Sequence, residues 1–426
     1  MIPARILRQL EQIDWDFPEH LPGTTKSIHW YPGTFPSDVP ATLVQALSSC
    51  GDLIFDPYGG VGTTSLESIR QGRRAWIVET NAIGCLAAYV AGFLLLLKSV
   101  KSHTPLMLID AVRNTVLRID GRCSPLLLEA DPAEVAEVDH ILNKLIRPAP
   151  EKFGAIFHLN PNLEKLSVWI EERTLRDLEK ISEAIDTTII GAAGRLLGLA
   201  MISAVLRSAS SQNKSWGHIA DNVRPREFVR KDIISLCLRW LSRVETIITN
   251  TAVAKIGSPV KDDIRLWLSP HNWLSTKKPS MVPRLKSKLL ITSPPYADAI
   301  DYTLAQRLSL YAFGLGDDEI LELCRTEIGA RRKRFDSASH EVWAVQLAES
   351  LTKQLCHMDD VSLAALLLPH KDAGRERGTE ALMECMESSN WKPIIQIDRS
   401  IRQVRARQSW TSIKKESLYI FGHGAT

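Results

Sequence analysis

Three short segments near the N-terminus constrain this chain more than anything else in it. DLIFD (52–56) is an apolar run that stops in the glycine-rich turn PYGGVG. TTSLESIRQG (63–72) is helix-like, and RAWIVE (74–79) is a second apolar run. Runs this short, bounded by turn residues, read as buried strands. The segment between them reads as a helix that stops at Gly72, a residue suited to the left-handed turn that ends helices. A further helix is expected from Ala82. Strand, loop, helix, strand and helix in that order imply parallel strands joined by right-handed crossovers.

The pattern changes after about residue 100. Helical periodicity dominates LEKLSVWIEERTLRDLEKISEAI and KDIISLCLRWLSRVETIITN, with a polar break, SASSQNKSWGHIADNVRPREFVRK (208–231), between them. Strand-like runs return at KLLIT (288–292), VSLAALLLP (361–369), KPIIQID (392–398) and ESLYIF (416–421). The expected organisation is one α/β sheet domain in two halves, residues 1–99 and 286–426. A mostly helical insertion, residues 100–285, separates them.

The length of 426 residues allows a large core and two or three domains. The net charge of +3 is too small to identify a partner, so a nucleic-acid signal must come from local clustering. The seven cysteines show no CxxC pair and no Cys/His ligand spacing, and read as free, mostly buried thiols in a reducing compartment. MIPARILRQLEQIDWDF carries charges throughout and lacks a signal-peptide core. The most apolar run, residues 82–97, falls short of a membrane span and reads as a buried helix. A cytoplasmic protein is expected.

The loop DPYGGVGTT (56–64) has an acidic residue at a strand end, clustered glycines and a helix start. Gly59, Gly60 and Gly62 let backbone approach a ligand without Cβ clashes. Thr63 or Thr64 can cap the helix, whose free N–H groups favour an anionic or polar group. The GK[ST] ending of a phosphate loop is missing, and the dinucleotide pattern GxGxxG fails. Glu79 ends the next strand, where a carboxylate suits a pair of ribose hydroxyls. By itself the loop is equally compatible with an ordinary βα turn and a surface glutamate.

The segment LLITSPPYADAIDY places Ser293, Pro294, Pro295 and Tyr296 directly after a strand. Beside DLIFD in one parallel sheet, it would face the glycine loop across a crevice at the edge where open α/β sheets bind ligands. The prolines have no N–H to satisfy and hold the turn rigid, so that a backbone carbonyl can serve as an acceptor. Ser293 adds a second acceptor, and Tyr296 a ring able to stack on a base. Two acceptors and a ring suit an exocyclic amino group. Holding its N–H bonds out of conjugation frees the lone pair to attack a sulfonium methyl donor in line, with positioning supplying much of the rate. Serine is too weak a base to ionise the amine first, so proton loss follows methyl transfer. The base must leave the duplex to reach such a site.

DPYGGVGTT together with SPPY resembles the amino-group DNA methyltransferases that use S-adenosylmethionine. The chain is similar in particular to bacterial site-specific enzymes, through HWYPGTFP (29–36), SPPYADAIDY with LSLYAFGLG, EIGARRKR and DNVRPREFVRKD. The resemblance spans nearly the whole chain at separate motifs. It implies a Rossmann-like class I methyltransferase fold with a seven-stranded sheet. It implies methyl-donor contacts from His29, Tyr31 and Phe35, from Asp56, Pro57, Tyr58, Gly59, Gly60, Gly62, Thr63 and Thr64, and from Glu79 and Asn81. It implies amine binding by SPPY, whose serine form points towards N4 of cytosine rather than N6 of adenine. The order of motifs implies that the insertion carries target recognition. Tyr58, Val61 and Glu79 depart from the family's usual Phe, small residue and Asp. The family commonly acts as the modification arm of a restriction or phage-defence system, with a nuclease partner.

Residues 399–415 contain six basic residues and no acidic one. Arg399, Arg402, Arg405 and Arg407 are candidates to track DNA phosphates, with Trp410 to stack or wedge. Arg331, Arg332, Lys333 and Arg334 form a second cluster, and Lys214, Arg224, Arg226, Arg230 and Lys231 a third. Each is equally readable as a solvated face. Asp298 and Asp301 could each hold the base edge or orient Tyr302, with capping of the following helix the expectation for Asp298, and His29 is expected to pack at the cofactor mouth. His218, His357 and His370 lack ligand spacing, so no metal is expected. Two other readings remain: an RNA guanine N2-methyltransferase, which would usually carry Asp at position 293, and a DNA-binding paralogue without methyl transfer.

Overall fold

The expected strand at 52–56 forms as β1 (Leu53–Asp56) and pairs in parallel with β2 (Arg74–Glu79). The structure is a computed structural model that describes residues 2–119, 131–188, 190–212, 224–257, 259–260, 262–336, 338–369, 376–400 and 415–424. The helix between the strands, Thr63–Arg70, ends as the sequence suggests. Gly72 has φ +78°, its N–H donates to Ile69 O, and Arg73 N–H donates to Ser68 O, the paired bonds of a Schellman motif. The start differs from expectation. Gly62, at φ +85°, is the N-cap residue, and neither Thr63 nor Thr64 caps with its side chain.

The remaining strands are β3 (Ile146–Arg147), β4 (Leu266–Pro270), β5 (Ser287–Thr292), β6 (Met358–Pro369), β7 (Trp391–Ser400) and β8 (Lys415–His423). They form one sheet in the order β3-β4-β2-β1-β5-β6-β8-β7. Pairing is parallel from β3 to β6, and β8 runs antiparallel between β6 and β7. This is a Rossmann-like sheet of seven strands, extended at one edge by the two-residue β3. The order reverses between β1 and β5, the switch point at which open parallel sheets bind ligands.

β4 lies within the stretch expected to be insertion. LWLSP is short, ends in proline and follows the charged run KDDIR, so its local pattern is weak. Pairing with β2 in register from Ala75–Leu266 to Glu79–Pro270 makes it a strand. The sheet therefore resumes some twenty residues before the expected boundary at 285.

Side chains alternate across the sheet as the pleat requires. Ala75 and Ile77 of β2 face one core with Leu266 and Leu268, while Trp76 and Val78 face another with Phe55, Leu290 and Trp273. The first core continues without a break into the insertion helices Thr104–Ile119, Glu172–Thr187, Gly191–Ala209 and Ile233–Asn250. Helix Ala82–Val100, N-capped by the Asn81 side chain, is buried at every residue from Ile83 to Leu97. Its apolar surface on all sides follows from being packed between sheet and insertion. By length and composition this helix and Gly191–Ala209 would both pass as membrane spans, yet they are core helices here. Cys85, Cys237 and Cys324 are buried thiols, whereas Cys50 and Cys356 are exposed.

Candidate active site

The carboxyl ends of β1, β2, β4 and β5 meet at one edge of the sheet, because all four run parallel. A cleft opens there. Its walls come from the glycine loop (Tyr58, Gly59, Gly60, Val61, Thr63), from Glu79 to Ala82, from the 31–35 segment, and from Asn272 and Trp273 beyond β4. Ser293 and Pro295 lie beyond β5, and Tyr302, Thr303, Leu310, Leu323 and Thr326 to Ile328 complete the lining. Glycine loop and SPPY motif thus border a single cavity.

Gly59 fits only because it has no side chain. A Cβ there would stand 2.2 Å from Ile77 Cγ2, so the loop lies directly on β2. The Glu79 carboxylate then ties the loop down. It accepts from Gly60 N–H at 2.7 Å and from Asn81 N–H at 2.7 Å. The extra methylene of glutamate over aspartate lets it span both. Burial, with the nearby Asp56 charge, pushes its pKa up to about 7, opposed by backbone hydrogen bonds from Asn81, Gly60 and Thr80. Each carboxylate oxygen has a second lone pair, and Glu79 lines the cleft. Val61 packs with Tyr31 and Ala87. The Tyr58 hydroxyl is buried next to Ser350 and Gln354, and its pKa rises to about 12, chiefly through burial.

Asp56 and Pro57 do not reach the cleft. Asp56 is buried and accepts from the Thr292 hydroxyl at 2.8 Å and from Tyr58 N–H at 3.2 Å. It latches the end of β1 to the end of β5, one residue before Ser293. Burial raises its pKa to about 6, with hydrogen bonds opposing the rise. The Pro57 carbonyl accepts from Trp273 Nε1 at 2.8 Å. Gly62 and Thr64 face inwards instead of towards the cleft: a Cβ on Gly62 would meet Ala88 at 2.9 Å, and Thr64 is buried.

His29 also lies away from the cleft. Its Nε2 sits 2.8 Å from Ser203 Oγ and its Nδ1 2.7 Å from Trp30 O, which joins the 29–36 segment to helix Gly191–Ala209. Burial lowers its pKa to about 4, so it is neutral at pH 7. Tyr31 and Phe35 of the same segment do line the cleft, and Tyr31 stacks on Tyr302 with ring centroids 5.9 Å apart.

Ser293 and Pro295 line the cleft, while Pro294 and Tyr296 do not. The Pro295 carbonyl is taken by Trp343 Nε1 at 2.9 Å. Among the described residues no hydrogen bond ends on the Pro294 carbonyl. Tyr296 turns its hydroxyl into the sheet, 2.9 Å from Glu416 Oε2 and 3.2 Å from Leu367 O. Asp298 is no helix cap. At φ +59° it lies 2.7 Å from His340 Nε2, so helix Ser339–Leu355 braces the motif at both Pro295 and Asp298. The N–H groups of Tyr302 and Thr303 are taken by Glu327, and Asp301 accepts from Arg332 N–H.

Several residues expected at DNA are committed elsewhere. Arg399 is buried, donates to Trp15 O at 2.9 Å and pairs with Glu416. Arg332 donates to Cys324 O and Glu327, and Lys333 to Glu327 O at 2.6 Å and Arg325 O at 3.3 Å. Their charges hold the 331–335 turn against the preceding helix. Arg230 lies 4.0 Å from Asp177, and Arg224 and Arg226 are exposed. Lys214, His218, His370, Arg402, Arg405, Arg407 and Trp410 lie outside the described residues, as do the side chains of Arg331 and Arg334. No group of His, Cys, Asp or Glu among the described residues is arranged to hold a metal ion.

Sequence reasoning did not single out Trp273 or Glu327. Trp273 follows the strand that was missed. Glu327 stands in EIGARRKR, which drew attention for its basic residues only. Both matter to the character of the cleft. Among the described residues, the lining contains two carboxylates, Glu79 and Glu327, and five aromatic rings, Tyr31, Phe35, Tyr58, Trp273 and Tyr302, but no lysine, arginine or histidine. Such walls suit a cationic ligand with hydroxyls and a flat ring, and offer no side-chain cation to a pyrophosphate.

Sheet order and cleft together define a Rossmann-like fold with a ligand cleft at its switch point. Residues 7–88, which hold the glycine loop and Glu79, match the N6_N4_Mtase family model, described as DNA methylase. Over that segment the match supports an N4/N6 amino-methyltransferase. Among solved structures, the rRNA methyltransferase aviRa from Streptomyces viridochromogenes is similar at 10% identity, over 92% of this chain and 88% of that one, with a TM-score of 0.30. No curated protein sequence matches.

Proposed function

We propose that this methyltransferase moves a methyl group from S-adenosylmethionine to the exocyclic amino group of a flipped base in double-stranded DNA, N4 of cytosine in preference to N6 of adenine. The observation that carries this reading is the single cleft in which Ser293 and the Glu79-anchored glycine loop meet. A donor with ribose hydroxyls, an adenine ring and two cationic centres matches the chemistry of its walls. Glu79 would take the ribose hydroxyls through its remaining lone pairs. The aromatic rings and Glu327 would hold the flat and cationic parts. The bound donor supplies an electrophilic methyl group. The protein's part is to hold the amine nitrogen in line with it and to keep water out. Ser293 Oγ, which borders the cleft, accepts an amine N–H.

Contacts to DNA phosphates are assigned to Arg331, Arg334, Arg402, Arg405 and Arg407, since Arg332, Lys333 and Arg399 are engaged internally. Target choice is assigned to the insertion, and the protein's place to the cytoplasm with the DNA. A role as the modification arm of a restriction or phage-defence system, with a cognate nuclease, follows the usual setting of such enzymes.

Mass spectrometry of nucleosides tests this directly. DNA and total RNA from cells with and without the protein are digested and compared. New N4-methylcytosine in DNA is expected. N6-methyladenine would overturn the base preference, methylguanosine confined to RNA would favour an RNA guanine methyltransferase, and no new species would overturn the reading. Ser293→Ala should abolish most product while leaving donor affinity near wild type, and Glu79→Ala should weaken donor binding instead.

A further inference from the structure

Tyr296 is placed for a task other than stacking. Its hydroxyl is a junction for three groups: Ser293 Oγ at 3.1 Å, Leu367 O at 3.2 Å and Glu416 Oε2 at 2.9 Å. The other oxygen of Glu416 pairs with the buried guanidinium of Arg399, which also holds Trp15 O. Tyr296 has one proton to donate. Leu367 O can only accept, and a carboxylate paired with arginine accepts as well. The tyrosine proton therefore goes to Glu416 or Leu367, and the oxygen of Tyr296 is left to accept from Ser293. The Ser293 proton then points away from the cleft, and its lone pairs are what Ser293 presents to it.

We propose that Tyr296 is a positioning residue that acts through its hydroxyl. With Glu416 and Arg399 behind it, it fixes Ser293 as a hydrogen-bond acceptor in the cleft. The inference rests on the amino-methyltransferase reading and sharpens it. An acceptor-only Ser293 welcomes an amino group and repels a carbonyl oxygen, so the lock discriminates a cytosine or adenine edge from a thymine or uracil edge. Its polarity is set some distance from the substrate, by a buried ion pair between β7 and β8. Replacing Glu416 alone would leave Arg399 unpaired in the core and unsettle the fold, so the hydroxyl itself is the better point of intervention.

The test uses the full chain with chromosomal DNA from an unmodified host as methyl acceptor. It measures kcat, KM for DNA and the donor dissociation constant for wild type, Tyr296→Phe, Ser293→Ala and the double variant. Tyr296→Phe keeps the ring and removes only the hydroxyl. The expected result is a kcat about ten- to a hundredfold lower with donor affinity unchanged. In the Ser293→Ala background the same change should have no further effect, because Tyr296 acts only through Ser293. A Tyr296→Phe enzyme with wild-type kcat overturns the proposal, as does an equal loss in both backgrounds. A wild-type protein that methylates neither DNA nor RNA overturns this inference and the functional reading together, whereas an active wild type with an equally active Tyr296→Phe overturns the hydroxyl lock alone.

Discussion

Glu79 does two things that an aspartate at the end of β2 would not do together. It reaches back to Gly60 N–H and forward to Asn81 N–H, and it still borders the cleft. Its carboxyl titrates at about 7, so its charge changes across the physiological range. Only the ionised form offers all its lone pairs to ligand hydroxyls. Donor affinity measured by calorimetry should therefore rise from pH 6 to pH 8. Glu79→Gln should bind the donor roughly ten- to a hundredfold more weakly, the loss of about 1.5–3 kcal/mol for hydrogen bonds to a charged group, with a flat pH profile. A wild-type affinity that does not change over this range would remove Glu79 from the donor site. The carboxylate at this position was legible in the sequence from its place at a strand end. Its grip on the glycine loop was not, because that depends on how closely Gly59 settles on Ile77.

Among the elements, the contact that matters most to the site is the latch between β1 and β5. Asp56 and Thr292 end adjacent strands, and their 2.8 Å hydrogen bond sets the glycine loop and SPPY in register. Because burial raises the Asp56 pKa from 3.8 to about 6, the folded state binds more protons than the unfolded state in that interval. Its contribution to stability is complete below 3.8 and falls as pH rises to about 6. Thr292→Val removes a bond that favours the ionised carboxylate and leaves that carboxylate less satisfied. Denaturant titrations should find the variant close to wild type near pH 3.5 and about 1–3 kcal/mol less stable at pH 8. A deficit independent of pH would mean that Thr292 contributes through packing alone. The acidic residue at the strand end was visible as a motif, and a ligand contact was the natural expectation. A partner 236 residues away made it structural instead.

In the whole molecule, sheet and insertion share one core, so they should not unfold separately. Urea unfolding followed by tryptophan fluorescence and by far-UV circular dichroism should give coincident single transitions. Two resolved transitions would show that the insertion folds as a unit of its own. The sequence by itself determined the parallel α/β class, six of the eight strands, the buried helix from Ala82, and a glycine loop and SPPY brought together at a strand edge. These are local matters of apolar run length, turn residues and helix-ending glycines, which act over a few residues. Only the tertiary structure decided that LWLSP is a strand, because a weak five-residue pattern becomes one by pairing with β2. Tertiary structure also took Arg332, Lys333 and Arg399 out of the basic surface, turned the Tyr296 hydroxyl towards Glu416 and left His29 neutral against Ser203. In each case the deciding partner lies elsewhere in the fold, and a buried charge or hydroxyl goes where such a partner satisfies it.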